Sequence, residues 1–211
     1  MRNYKEVLLD PADCVVAIID EEPQMFFGVE GRSRASIENA VVGLSKAANA
    51  FSVPVVLSTV AAESFSGPLI SKVQSLFPNQ QPIDRTSLNS WEDANFRKAI
   101  DTTGKKKLVI CGLWTEVCVT LPTLCAIFDG YDVYVVEDAC GGSSPLADKM
   151  ARSRMQQAGA KFVTWQALML EWQRDWNNKD TYQIVMDIVK QHGGAYGMGV
   201  EYSEAMVPTH S

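Results

Sequence analysis

Short apolar runs, mostly of β-branched residues, alternate along the chain with longer segments in which apolar residues recur at helical spacing. The extended runs lie at 14–19, 53–58, 82–84, 108–111, 131–136 and 161–164. The helical patterns lie at 33–50, 69–76, 90–103, 117–128, 145–158, 165–175 and 181–191. Near-continuous apolar strands separated by helices are typical of a parallel sheet covered on both faces. The pattern therefore predicts an α/β fold, a three-layer αβα sandwich around a Rossmann-like, doubly wound, six-stranded parallel sheet.

Neither an internal repeat nor a linker divides the pattern, and 211 residues suit one hydrophobic core. We predict one domain over residues 1–192. Residues 193–211 begin with a glycine-rich stretch and are predicted to be a tail that is flexible or contacts another subunit. The tryptophan-rich segment 165–176 and the apolar positions of the last helical pattern offer surface for a homo-oligomer; those positions are Tyr182, Ile184, Val185, Met186, Ile188 and Val189.

Charge and composition exclude several classes of function. The formal net charge is -6 and the one basic run is residues 105–107, so no nucleic-acid partner is expected. No apolar run approaches the roughly 20 residues that span a bilayer, and the first 13 residues lack the apolar core of a signal peptide. We expect a cytoplasmic protein without a membrane partner. The 5 cysteines form no CxxC pair, which argues against a disulfide framework or a structural zinc site.

Three residues with reactive or charged side chains follow predicted strands, at the edge where doubly wound sheets bind ligands. Asp20 ends the first strand, and Arg85 follows the third. Cys118 lies where the chain turns at Gly112 and enters a helix. A thiol at a helix N-terminus is predicted to favour the thiolate, and the N–H groups there are suited to holding an oxyanion. A thiol, an acid and a cation at neighbouring strand ends predict a nucleophilic site.

Each of these residues also has a simpler interpretation. Asp20 suits a turn, Arg85 suits a solvated surface, and Cys118 suits the core. Within a site, Arg85 either neutralises Asp20 or holds a substrate carboxylate. The two histidines, His192 and His210, lie away from every strand end, which argues against a Cys-His or Ser-His-Asp site. No cluster has metal-ligand spacing and no phosphate-binding loop is present, so we expect neither metal nor cofactor.

The segment Gly112-Leu-Trp-Thr-Glu-Val-Cys-Val-Thr120 resembles the nucleophile loop of the isochorismatase-like cysteine hydrolases, and residues 16–20 resemble the strand carrying that family's general-base aspartate. The resemblance extends from about residue 10 to residue 176. Within the superfamily it is closest to the YcaC-type hydrolases, through the segments 51–55, 67–69, 88–91, 115–119 and 171–176.

The resemblance implies a Cys-Asp-Lys triad on a six-stranded parallel sheet, with Cys118 and Asp20 at matching positions. Arg85 aligns with the lysine, which is a departure because arginine is planar and never deprotonated. The resemblance also implies a non-proline cis peptide at Trp114–Thr115, with the N–H groups of Thr115 and Cys118 forming an oxyanion hole. A large ring-like homo-oligomer is implied as well.

Three further departures limit the functional assignment. The Asp-x-His-x-x-His metal motif of nicotinamidases is absent. The cysteine that isochorismatases proper lack is present. Glu22 stands where many relatives have glutamine. The resemblance therefore supports neither of those two named reactions.

The resulting hypothesis is hydrolysis of a small-molecule amide C–N bond through an acyl-enzyme on Cys118. Phe26, Trp91 and Trp114 are predicted to line an apolar substrate pocket. Two alternatives remain open. In the first, which the Arg85 departure suggests, the chain is a binding or scaffold protein that kept the fold. In the second, it is a thiol-redox sensor in which Cys125 lies two helical turns beyond Cys118.

Overall fold

A computed structural model describes residues 7–206 and contains one parallel sheet of 6 strands. The sheet order is β3-β2-β1-β4-β5-β6, so the chain starts at the centre, runs to one edge, and then returns to build the other. This order confirms the predicted doubly wound fold. The strands are β1 (Cys14–Ile19), β2 (Val55–Val60), β3 (Ile83–Arg85), β4 (Lys107–Leu113), β5 (Asp132–Gly141) and β6 (Lys161–Val163).

Helices cover both faces of the sheet, as the alternating pattern predicted. They are α1 (Pro23–Phe27), α2 (Arg34–Ala50), α3 (Ser71–Gln74), α4 (Ala94–Thr102), α5 (Thr120–Phe128), α6 (Pro145–Ala158), α7 (Trp165–Gln173), α8 (Lys179–His192) and α9 (Ala195–Met206). Within residues 7–206, no helix is long and apolar enough to cross a membrane.

The central strand β1 is the most buried element of the molecule, because it has a strand on each side and a helical layer above and below. All of its residues are buried. Val16 lies beside Val55 of β2 and beside Val109 of β4, which fixes the register of the central three strands. Residues that directly follow these strands are therefore brought to one edge of the sheet.

Strand β4 approaches β1 unusually closely at Gly112, which pairs with Ile19. Gly112 has φ 150°, and a Cβ at this position would overlap the carbonyl oxygen of Ile19. Only glycine fits this contact. Ile19 directly precedes Asp20, and Gly112 lies just before the loop that carries Cys118, so this contact sets the separation of these two segments.

The loop after β4 differs from its prediction. The strand continues to Leu113, and a π-helical turn over Thr115–Val119 precedes α5, which begins at Thr120. The predicted cis peptide at Trp114–Thr115 is wrong: the cis bond joins Leu113 and Trp114. The longer strand places the change of direction directly after Leu113. The short helix α1 was not predicted.

The C-terminal region contains one more helix than the pattern predicts. Helix α9 was not predicted and packs on α8, where Lys190 Nζ lies 2.7 Å from Glu204 Oε2. In α8, Val185, Ile188 and Val189 are buried within the subunit, so these apolar positions are not available for a subunit contact. The predicted ends of the domain and the tail, residues 1–6 and 207–211 with His210, lie outside the described residues.

Candidate active site

The structure brings together the acid and the cation that the sequence placed at two strand ends. Asp20 directly follows β1 with φ 57°, a left-handed conformation that turns its side chain out of the strand pattern. Arg85 is the last residue of β3. The Arg85 Nη2 atom lies 2.7 Å from Asp20 Oδ2, and both side chains are 0% exposed. A buried ion pair of this kind needs further hydrogen bonds to be stable.

Those further bonds use every nitrogen of the Arg85 guanidinium. Nε donates to Ser58 Oγ at 3.2 Å, Nη1 donates to the carbonyl oxygen of Ser87, and Nη2 donates to Asp20. The sequence left two roles open for Arg85, neutralising Asp20 or holding a substrate carboxylate. This bonding pattern supports the first role, because the guanidinium is held in place by protein acceptors on all three nitrogens.

Cys118 lies in the π-helical turn, is 3% exposed and contacts the Asp20 carboxylate. Burial raises the pKa of the Asp20 carboxyl to about 6, although Arg85 and the Cys118 contact lower it. Burial and the Asp20 charge raise the pKa of the Cys118 thiol to about 12, with Arg85 acting in the opposite direction. The resting site at neutral pH is therefore a neutral thiol beside a carboxylate.

The prediction that a helix terminus favours the Cys118 thiolate is wrong in direction. Cys118 precedes the first residue of α5 and lies beside a buried negative charge. Desolvation in this position outweighs the favourable hydrogen bond that the Trp114 backbone makes to the Cys118 side chain.

The turn that carries Cys118 also contains several backbone N–H groups. The Cys118 N–H donates to the Trp114 carbonyl oxygen at 3.0 Å, a carbonyl that also accepts from Val117 at 3.1 Å. The backbone of Trp114 reaches the Cys118 side chain, which makes its N–H a donor that the sequence did not identify. Thr115 is 1% exposed and its Oγ1 has no partner among the described residues. An oxyanion hole formed by Thr115 and Cys118 stays a prediction.

Two of the predicted pocket residues belong to adjacent segments: Trp114 directly precedes the turn Thr115–Val119, and Phe26 belongs to α1. The Trp114 indole donates to the Met25 carbonyl at 2.9 Å, and its ring packs on Gly28. Phe26 is 8% exposed and lies on α1, and its carbonyl accepts from Arg34 Nε at 2.8 Å. The Trp114 bond to Met25 therefore joins the segment that carries Cys118 to the α1 segment.

Trp91 lies elsewhere, which corrects its predicted place in the pocket. Its ring packs edge-on against Tyr131 at 5.3 Å and its indole donates to Asp129 Oδ2 at 2.8 Å, beyond the C-terminal end of α5. Cys118 precedes the opposite end of that helix. The turn at Ser90–Glu92 directs the indole between α4 and α5, where it is 4% exposed.

Two buried acids next to Asp20 were not identified as site residues. Glu21 and Glu22 are both 0% exposed. The Glu22 Oε2 atom accepts from the Val60 N–H at 3.1 Å, and Oε1 has no partner among the described residues. Burial, with the charges of Asp20 and Asp84, raises the pKa of Glu22 to about 8, although the Val60 bond lowers it. The sequence signal was the acidic run that directly follows a buried strand.

The charges that act on Glu21 are negative. Burial raises its pKa well above the ordinary value, with further contributions from Asp20 and from Glu38 of α2. Neither of its carboxyl oxygens has a partner among residues 7–206. Over the same residues, no group of three or more His, Cys, Asp or Glu side chains is arranged to hold a metal ion.

Comparison with known proteins identifies the family. The model of the isochorismatase domain matches residues 13–167. The probable hydrolase YcaC of Escherichia coli strain K12 is 37% identical over 173 residues, which cover 82% of this chain and 83% of that protein.

Solved structures agree with the sequence comparison. The crystal structure of Escherichia coli YcaC, described as an octameric hydrolase of unknown specificity, has a TM-score of 0.90 at 34% identity and covers 98% of this chain and 100% of its own. A structure of YcaC from Pseudomonas aeruginosa, with hexane-2,5-diol and covalent acrylamide, also has a TM-score of 0.90 at 34% identity, covering 97% of this chain and 100% of its own.

Proposed function

The chain belongs to the isochorismatase family of hydrolases, and we propose that it hydrolyses the amide C–N bond of a small molecule through an acyl-enzyme on Cys118. The observation that carries the proposal is the buried Asp20–Arg85 ion pair in contact with the only cysteine of the nucleophile turn. A nucleophile with a base in reach, and a third group that orients the base, is the arrangement that covalent catalysis requires.

In the first half-reaction, Asp20 accepts the thiol proton as the Cys118 sulfur attacks the carbonyl carbon. The tetrahedral oxyanion is held by backbone N–H groups of the turn, first those of Thr115 and Trp114. The predicted Cys118 N–H donates to the Trp114 carbonyl oxygen in the resting structure and joins them only when it leaves that acceptor. The C–N bond then breaks, and Asp20 returns the proton to the leaving amine. The product of this half is a thioester between Cys118 and the acyl group.

In the second half-reaction, Asp20 removes a proton from water as the water oxygen attacks the thioester carbonyl. The C–S bond breaks, the carboxylic acid leaves, and the proton returns to the sulfur. Because the Cys118 pKa is about 12 and that of Asp20 about 6, a free thiolate is a minor species at neutral pH. Proton transfer therefore accompanies the attack, as in general-base catalysis.

Covalent acrylamide in the Pseudomonas aeruginosa relative supports access of a small amide to a reactive group in this fold. Acrylamide adds to thiols, so it is a direct probe for Cys118. The test is the rate of acrylamide addition to each cysteine of the native protein, followed by mass spectrometry, with amine release from a panel of small amides measured in parallel.

We expect Cys118 to react at least tenfold faster than Cys125, although Cys125 is more exposed, because only Cys118 has a base in contact. Amine release should disappear in Cys118→Ser and persist in the matched control Cys125→Ser. Slow addition shared among several cysteines, with no amine released, would favour the binding or scaffold alternative. A disulfide or sulfenate on Cys118 after mild oxidation, without hydrolysis, would favour the redox alternative.

We also propose that the chain forms a homo-oligomer, supported by the octamer of Escherichia coli YcaC. Exposed apolar side chains on α8 and α9 give this subunit suitable contact surface. They are Ile184, Tyr196, Met198, Tyr202 and Met206. Light scattering coupled to gel filtration should give a mass several times 23.2 kDa, and a monomer mass would contradict the proposal.

A further inference from the structure

Buried polar side chains without partners are concentrated at the edge of the sheet that carries Cys118. Among the described residues they include one oxygen of Asp20, one of Glu22 and three hydroxyls, all in segments that directly follow β1 to β4; the hydroxyls belong to Ser66, Ser87 and Thr115. Buried polar groups in native proteins are almost always satisfied, by protein, water or ligand. A cluster of unsatisfied groups in one place therefore indicates where a polar ligand binds.

The charge at this edge restricts the ligand. Arg85 is the cation that faces Asp20 and Glu22, and each of its nitrogens already donates to a protein acceptor. The negative charges that act on Glu22 are those of Asp20 and Asp84. Arg85 has one further N–H on each of Nη1 and Nη2, but its single positive charge is already opposed by Asp20 and Asp84, so a ligand carboxylate would meet a net negative surrounding. An uncharged ligand avoids that cost, since burying an unpaired charge is strongly unfavourable.

Glu22 is the residue best suited to bind such a ligand through a hydrogen bond. Its Oε2 accepts the Val60 N–H, so in a neutral carboxyl the proton resides on Oε1, the oxygen without a partner. The surrounding charges that act on Glu22 are Asp20, Asp84 and Arg85. Its raised pKa of about 8 agrees with a neutral acid at physiological pH.

We propose that Glu22 is a substrate-binding residue whose Oε1–H donates a hydrogen bond to the carbonyl oxygen of an uncharged amide, and that the site rejects the corresponding carboxylates. This inference rests on the proposed function in that it assigns the substrate class of the same site. It explains why the acid is placed beside the catalytic carboxylate with one oxygen left free.

A binding experiment tests the inference without requiring a reactive thiol. The Cys118→Ala protein is titrated with propionamide and, separately, with propionate, and binding is followed by ligand-observed NMR. We expect propionamide to bind and propionate to bind at least tenfold more weakly, with the Glu22→Leu change in the same background weakening propionamide about tenfold, the order of one lost hydrogen bond. Glu22→Gln, which keeps a donor, should stay within about threefold of the parent.

Kinetics on the native thiol give a second readout. Saturable inactivation by acrylamide separates the binding constant from the maximal rate. Glu22→Leu should weaken the binding constant about tenfold with little change in the maximal rate, and the control Glu137→Gln, in a partly exposed ion-pair cluster of β5, should change neither. Circular dichroism verifies that each variant is folded.

The possible outcomes separate the two proposals. Equal binding of propionamide and propionate, or propionamide binding that is unaffected by Glu22→Leu, overturns the inference on Glu22. Failure of both ligands to bind overturns it as well. An unreactive Cys118 with intact, Glu22-dependent amide binding overturns the acyl-enzyme instead and leaves the inference on Glu22 supported.

Discussion

Two arginine–carboxylate clusters lie on this sheet, and they differ chiefly in their exposure to water. Asp20 and Arg85 are buried completely, 2.7 Å apart. Glu137 of β5 lies between Arg32 and Arg152, with side chains that are 26–34% exposed. Both clusters pair an arginine with a carboxylate, but only the Glu137 cluster is accessible to water.

Exposure decides what each cluster contributes. Water screens the Glu137 cluster, so each of its pairs is worth little to stability. Asp20 and Arg85 have no water to replace a lost partner, so removing either leaves an uncompensated buried charge. The same burial raises the pKa of Asp20 to about 6, which suits a base that must accept and return a proton. Burial is therefore the feature that separates the pair assigned to the proposed reaction from the pair near the surface.

The largest expected effect is on reactivity. Asp20→Asn removes the base in contact with Cys118, and we expect the rate of acrylamide addition at pH 7 to fall about 10²–10⁴-fold. Glu137→Gln is the matched control in the exposed cluster and should change that rate by less than about twofold. An Asp20→Asn protein that reacts at the rate of the control would remove Asp20 from the mechanism.

Next in size is the effect on stability. Arg85→Met leaves Asp20 buried without its counter-ion, and the free energy of unfolding in urea at pH 7 should fall by about 3–5 kcal/mol. Arg152→Met removes a guanidinium from the exposed cluster and should lower it by about 0.2–1 kcal/mol. Equal losses in the two variants would show that burial is not the cause of the difference.

A pH titration of stability sharpens the comparison further. The pKa of Glu22 rises from an ordinary 4.5 to about 8 on folding, so the folded protein binds this proton more tightly than the unfolded chain. Its contribution to stability is therefore complete below pH 4.5 and is lost as the pH rises towards 8.

Glu22→Gln removes this dependence, and the variant should be more stable than the parent at pH 8.5 by on the order of a few kcal/mol. The measurement is urea unfolding from pH 5 to pH 9, with Glu137→Gln as control. Parallel curves for the parent and Glu22→Gln would show that Glu22 is ionised in the folded protein throughout this range.

The smallest expected effect distinguishes charge from geometry. Arg85→Lys keeps the positive charge but cannot reproduce the bonds to Ser58, Ser87 and Asp20 together. Acrylamide addition to Cys118 at pH 7 should slow about 2–10-fold, the order of one lost hydrogen bond. The rate of the parent should rise with pH through about 6, as Asp20 ionises, and that midpoint should move upward in Arg85→Lys. A faster Arg85→Lys protein would indicate that the arginine limits the reaction.

Most of the fold was predictable because it depends on local patterns. The strands predicted at 14–19 and the helix at 145–158 have the bounds of β1 and α6, since buried β-branched runs and glycine-terminated helices are decided within a few residues. Helix α9 was missed because its glycine-rich first half disfavours a helix in isolation. It packs on α8, so tertiary contact overrides the local preference.

The candidate site was likewise predictable where it depends on local sequence and unpredictable where it depends on tertiary contacts. Asp20, Arg85 and Cys118 were predictable because each lies at or just after the end of a strand, and the topology brings these strand ends to one edge. The direction of the Cys118 pKa shift was not predictable, because it depends on burial and on the distance to Asp20, which no local pattern contains. Trp91 was misplaced for a related reason: the sequence gives its position after β3 but not the direction of its side chain.

The arrangement of Asp20 and Cys118 depends on Gly112 because glycine has no Cβ. The contact between β4 and Ile19 leaves no room for a Cβ, so the spacing between Asp20 and Cys118 is maintained by the absence of a side chain. A saturation screen for activity should therefore find this position as intolerant as Cys118, although the residue there has no functional group. Loss of activity on substitution would identify a spacer in the backbone and should not be taken as evidence for a further catalytic group.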